Sequence, residues 1–175
     1  MNIRDEDFEQ TSIYVALQRA HDLTEIILVG HHRMEILLEE YVRNLVPNRH
    51  VLRVEHLTFD QKLELVLSDI DLPAWCAEDG CDDAYYRIAE EMLGYIFSLN
   101  ELRTQATIEI LACIHPSVLD RHANSMSIER QARRWLALPP STTEKELRDE
   151  VAGHIACVHA YFEGFTETMF GEDNS

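Results

Sequence analysis

Positive charge is what this chain has least of. Lysine occurs only at Lys62 and Lys145, and fifteen lysines and arginines face 32 carboxylates, for a formal net charge of −17. Phosphate contact needs a cationic face, so this balance argues against a general nucleic-acid binder and leaves room only for a local basic patch. Cysteine is confined to Cys76, Cys81, Cys113 and Cys157, and the opening Met-Asn-Ile-Arg-Asp-Glu-Asp is polar rather than leader-like. A reduced, cytoplasmic protein is expected. No run of eighteen apolar residues occurs, so no membrane span is predicted. Alternating apolar and polar residues are missing, and with them any strand prediction. The Gly-x-Ser-x-Gly elbow is absent, as are the phosphate loop and the dinucleotide fingerprint.

What the chain does contain is helical periodicity over a length, 175 residues, that can bury a core. Phe8, Ile13, Tyr14, Leu17 and Ala20 predict a first helix ending near Leu23. Ile27, Gly30, Met34, Leu37, Leu38, Tyr41 and Leu45 form the apolar stripe of a second, Thr24 to Leu45. Gly30 lies on that stripe, where a close helix crossing explains its cost to helix stability. Thr58 with Gln61 makes a capping box for a short helix carrying Phe59, Leu63, Val66, Leu67 and Ile70. The longest element runs from Asp83 to Leu111 or beyond, on Tyr85, Ile88, Met92, Ile96, Leu99, Ala106 and Ile110, with Arg103 on its apolar side. Such a length without proline marks the central member of a bundle. Val118 to Leu136 suggests one broken or two short helices. Pro139-Pro140 then breaks the chain. Ser141-Thr142-Thr143-Glu144 caps a last helix that buries Phe162 and Phe165. The prediction is an all-α bundle of five to seven helices. Residues 1–138 form the bundle, and residues 139–175 hold a C-terminal helix packed on it and a disordered tail.

Metal chemistry is present by residue type and missing by spacing. Cys76-x4-Cys81, Cys113-x-His115 and Cys157-x-His159 do not repeat a zinc-ligand interval. Glu78, Asp79, Asp82 and Asp83 crowd Gly80 without the alternation of a calcium loop. His31 and His32 project about 100° apart on a helix and cannot chelate together. No metal and no cofactor is expected. Two locally basic neighbourhoods, Arg43, Arg49 and Arg53, and Arg130, Arg133 and Arg134, are the candidate anion sites.

Three segments in order carry a resemblance: Ile26 to Val42 with its Leu-Leu-Glu pattern, Leu57 to Leu65 with Phe59-x-x-Lys62, and Leu99-Asn100-Glu101-Leu102-Arg103. Across about residues 23–112 the chain resembles the HEPN superfamily of helical bundles, and looks most like its mannitol-repressor-like group. Active HEPN ribonucleases use an arginine and a histidine four to six residues beyond it, facing a dimer mate. The matching arginine is Arg103. Thr104 stands where asparagine is usual, and Ile108, Glu109 and Ile110 occupy the histidine zone. Acid–base cleavage needs a group titrating near neutrality within reach of the reacting oxygen, and Ile108 has none. The resemblance therefore implies a homodimeric, non-catalytic interaction or regulatory protein with a protein partner, such as a transcriptional co-regulator or a toxin–antitoxin component. Arg103 is then expected to pair with an acidic residue of a neighbouring helix. Two alternatives stand beside this: a metal-independent ribonuclease with a relocated base, His115 or His122, and an anion-binding module built on the arginines above.

Overall fold

The structure, a computed structural model, describes residues 13–46, 53–69, 83–115 and 126–170, apart from the side chains of residues 83–90 and 168. It is an all-α helical bundle. The described residues form six helices and no strand: α1 (Ile13–Arg19), α2 (Leu23–Leu45), α3 (Phe59–Asp69), α4 (Asp83–Ile114), α5 (Ile128–Trp135) and α6 (Glu144–Phe170), with a 3-10 turn at Val54–His56 before α3. None of the described helices is long and apolar enough to cross a membrane.

Local chemistry sets the helix ends. Helix α2 stops just before Pro47 and α4 just before His115-Pro116, because the residue preceding proline is pushed out of the helical region. The capping box before α3 forms as predicted: Thr58 N–H donates to Gln61 Oε1 at 2.9 Å and Gln61 N–H to Thr58 Oγ1 at 3.3 Å. At α6 the box lies two residues later than Ser141. Thr143 N–H donates to Glu146 Oε2 at 2.7 Å, and Glu146 N–H to Thr143 Oγ1 at 3.3 Å. Thr142 is occupied otherwise, its hydroxyl donating to Pro139 O. These hydrogen bonds hold the exposed Glu146 carboxyl below its ordinary range.

The chain divides into two compact units: Met1–Arg33 with Ser98–His159, and Met34–Phe97 with Ala160–Ser175. Helices α2, α4 and α6 each lend a length to both. In the first unit Leu17, Ile26, Ile27, Leu99, Leu102, Ala106, Leu147, Val151 and Ile155 form the core. Gly30 does what its place on the stripe predicts: a Cβ there would come within 2.7 Å of Ile155 Cγ2. In the second unit Met34, Leu38, Tyr41, Leu63, Val66, Ile96 and Phe162 are buried. Tyr41 sits among Phe162, Phe165 and Phe170, with ring centroids 5.7, 6.0 and 5.0 Å away. Its hydroxyl donates to Asp69 Oδ2 at 3.0 Å, and burial together with that carboxylate raises the phenol's pKa.

Two side chains on α4 differ from expectation. Ile110 is 41% exposed rather than in the core, and Arg103 lies on the exposed surface rather than the apolar side. Leu102, one residue earlier, takes the inward position. Over 32 residues a near-heptad rhythm drifts around an α-helix, so its apolar line leaves the core before the helix ends. The acidic loop with Cys76 and Cys81, the segment with His122, the residues around Arg49 and the C-terminal tail lie outside the described residues.

Candidate functional site

The C-terminal third of α4 carries the residues on which the functional reading turned. From Arg103, positions four, seven, eight and eleven residues on share one side of a helix. They are Thr107, Ile110, Leu111 and Ile114. Ile110, Leu111 and Ile114 are 41, 43 and 65% exposed. The two threonines nearby are turned onto their own backbone. Thr104 Oγ1 donates to Asn100 O at 3.0 Å, and Thr107 Oγ1 to Arg103 O at 2.9 Å. The surface is therefore an apolar strip with one guanidinium at its N-terminal end.

Arg103 makes no ion pair among the described residues. Being exposed, it needs none, since water solvates a surface cation at little cost; this corrects the expectation of a buried pair. His115 is exposed just past the end of the helix. Twelve residues of helix separate it from Arg103 by about 18 Å along the axis, so the two side chains of one chain do not meet on one phosphate. Glu109 has a different task. Its Oε1 accepts Ile128 N–H at 2.7 Å and Gln105 Nε2 at 3.3 Å. Ser127, the N-cap residue of α5, makes no side-chain cap bond, so a carboxylate from α4 caps α5 in its place.

Of the candidate anion-binding arginines, Arg43 and Arg53 belong to the second unit and Arg130, Arg133 and Arg134 to the first, where the last three share one side of α5. Arg43 pairs with Glu39 one helical turn before it, and Arg53 is exposed ahead of the 3-10 turn. Arg133 Nη1 donates to Thr142 O at 2.8 Å, which ties α5 to the loop before α6. Arg130 and Arg134 remain exposed on α5. Among the described residues no group of three histidine, cysteine, aspartate or glutamate side chains is placed to hold a metal. Cys113 and Cys157 are both exposed.

Sequence reasoning missed the polar groups that the folded chain places inside. Lys62 is 2% exposed, its Nζ 2.9 Å from Glu39 Oε2 and 3.3 Å from Glu35 Oε1. The Phe59-x-x-Lys62 spacing drew attention to the residue, but its burial had no local signal. His31 is buried and its Nε2 lies 3.0 Å from Asn100 Oδ1. His159 is buried too; desolvation and, second, the Arg33 guanidinium hold its pKa down to about 4. His154 meets the Trp135 ring edge-on at 5.1 Å, and burial lowers its pKa against the opposing pull of Glu150.

Comparison with protein-family models, with curated proteins and with solved structures finds no match to this chain. The likeness to HEPN bundles stays with the short motifs that suggested it.

Proposed function

We propose that the chain is a non-catalytic, HEPN-like interaction protein that works by binding protein, and that it self-associates through the exposed end of α4. One observation carries this reading: Ile110, Leu111 and Ile114 form a contiguous exposed apolar strip on a 32-residue helix. Arg103, Thr107, Ile110 and Ile114 follow a 4-3-4 rhythm, the spacing by which one helix seats against another. A strip of this kind on an otherwise acidic surface is a recognition feature. Glu109 supports the non-catalytic half. At the position where the resemblance calls for a general base stands a carboxylate already committed to capping α5.

Analytical ultracentrifugation tests the association. The wild-type chain is expected to sediment as a dimer and the Ile110→Glu, Ile114→Glu double variant as a monomer with unchanged helical content. A monomeric wild type at high micromolar concentration overturns the association. A ribonuclease assay tests the other half: cleavage that disappears on Arg103→Ala ends the non-catalytic reading and favours the relocated-base alternative.

A further inference from the structure

Helix α5 gathers positive charge in a chain that has little of it. Of the fifteen lysines and arginines in the sequence, three lie within five residues, at Arg130, Arg133 and Arg134. Successive residues of a helix turn by about 100°, so the three fall within an arc of about 100° on one side of α5. Arg130 and Arg134 are exposed. Arg133 is half-buried, and its Nη1 donates to Thr142 O at 2.8 Å, which fixes one guanidinium of the group in place. Glu129 is the one carboxylate of α5, and among the described residues neither it nor any other carboxylate forms an ion pair with the three.

An exposed arginine needs no partner, and solvation accounts for one that stands by itself. The cost of these three lies in their arrangement. Arg133 and Arg134 occupy the last turn, where the helix dipole favours cations. Arg130 is the third residue of the helix, at the end where the dipole opposes a cation. It is also three and four residues from two further guanidiniums, the spacings at which like charges weaken a helix. Eight residues are too few to hold a helix alone, so α5 is a poor place to carry that cost. Nothing in the folding of α5 calls for Arg130; a ligand for the cluster does.

We propose that this face of α5 docks the protein partner, and that the partner presents a phosphate monoester there, on a phosphorylated side chain. The inference rests on the protein-binding half of the proposed function and not on association through α4. Three guanidiniums around one turn suit a compact dianion better than a row of carboxylates. A phosphate monoester carries a charge of about −1.5 to −2 and three acceptor oxygens, and the guanidinium fork meets such oxygens two at a time. A long polyanion needs cations along its whole length, and the net charge of −17 opposes each phosphate beyond the first. The outer face of a helix is convex, unlike the concave sites that enclose small molecules. A segment of a larger protein can lie across such a face and set its phosphate among the arginines.

The test is isothermal titration of the full-length protein at low salt with an end-blocked Gly-Ala-Gly-Ser-Gly-Ala-Gly peptide phosphorylated on its serine. Saturable binding at millimolar peptide is expected, at least tenfold stronger than that of the unphosphorylated peptide or of an analogue with two aspartates in place of the serine. Arg130→Gln should weaken binding at least tenfold and leave the melting temperature unchanged or higher. Arg134→Gln should weaken it likewise. Arg43→Gln, the same loss of charge in the other unit, should change affinity less than twofold. The Ile110→Glu, Ile114→Glu variant should bind with wild-type affinity, so a chain that fails to associate through α4 still tests this site. No saturable heat overturns the proposal, as does a phosphopeptide no better than its diaspartate analogue. So does Arg43→Gln weakening binding as much as Arg130→Gln, or oligothymidylate binding more tightly than the phosphopeptide, which would make α5 a nucleic-acid contact.

Discussion

Lys62 and Ala137 show how far a single residue can stand from its own statistics. A lysine is almost never fully buried unless paired, and Lys62 meets the condition with Glu35 and Glu39, whose side chains keep 35 and 24% of their exposure. Those carboxylates can still reach water if the ammonium is removed, so loss of the charge is cushioned while loss of the stem is not. Lys62→Ala is therefore expected to cost about 2 kcal/mol more than Lys62→Met in urea denaturation, the difference reporting the buried stem. Equal costs would place the whole effect in the ion pair. Ala137 ends α5 at a φ of 51°. There Leu138 N–H reaches back to Arg133 O at 2.8 Å, the hydrogen bond of a left-handed helix stop. That conformation suits glycine, and Ala137 is exposed, so its methyl is not needed for packing. Ala137→Gly should raise stability by about 1 kcal/mol; a lower melting temperature would show the strain to be absent.

At the scale of the element, helix identity was legible because each helix carries its own periodicity and its own ends. Thr58 and Gln61 sit three residues apart in any conformation, and the box they form depends on nothing else. The orientation of α4 was less legible, because which side of a 32-residue helix is covered changes along its length with whatever packs against it. That is why Arg103 and Ile110 were assigned inward and stand outward. Helix α5 is a case where the element depends on another. Eight residues are too few to hold a helix alone, and its first N–H is satisfied by Glu109, nineteen residues away in sequence. Two glycines give the same substitution opposite signs. Gly30→Ala drives a methyl into Ile155 Cγ2 at 2.7 Å, and is expected to destabilise by about 1–2 kcal/mol after the gain in helix propensity. Gly153→Ala meets nothing within 4 Å and should stabilise by up to about 1 kcal/mol. Thermal melts of the two variants decide it; a shift in the same direction would mean the crossing at Gly30 is looser than its geometry.

For the molecule as a whole, two histidines with lowered pKa make stability depend on acid. A histidine kept neutral inside binds a proton more readily once unfolded. His159, at about 4 in the folded chain against 6.5 when free, contributes stability that is complete above pH 6.5 and is lost as pH falls toward 4. The loss from this one group is about 2 kcal/mol by pH 5. His154, lowered for the same reason, works in the same direction. Urea midpoints at pH 7, 6 and 5 should fall steadily, and His159→Gln should flatten the decline. A midpoint unchanged between pH 7 and 5 would mean that water reaches the imidazole.

The all-α class, the helix ends and the absence of a spanning segment were determined by the sequence itself, because periodicity, caps and prolines act between residues a few places apart. The Gly30 crossing was visible too, since a glycine in the middle of an apolar stripe has few other physical explanations. The tertiary structure alone decided that Lys62 and His159 go inside and that Arg103 and Ile114 stay outside. Burial and the nearness of charges depend on what lies across a helix, often more than a hundred residues away along the chain, as Arg148 and the Ala20 carbonyl do.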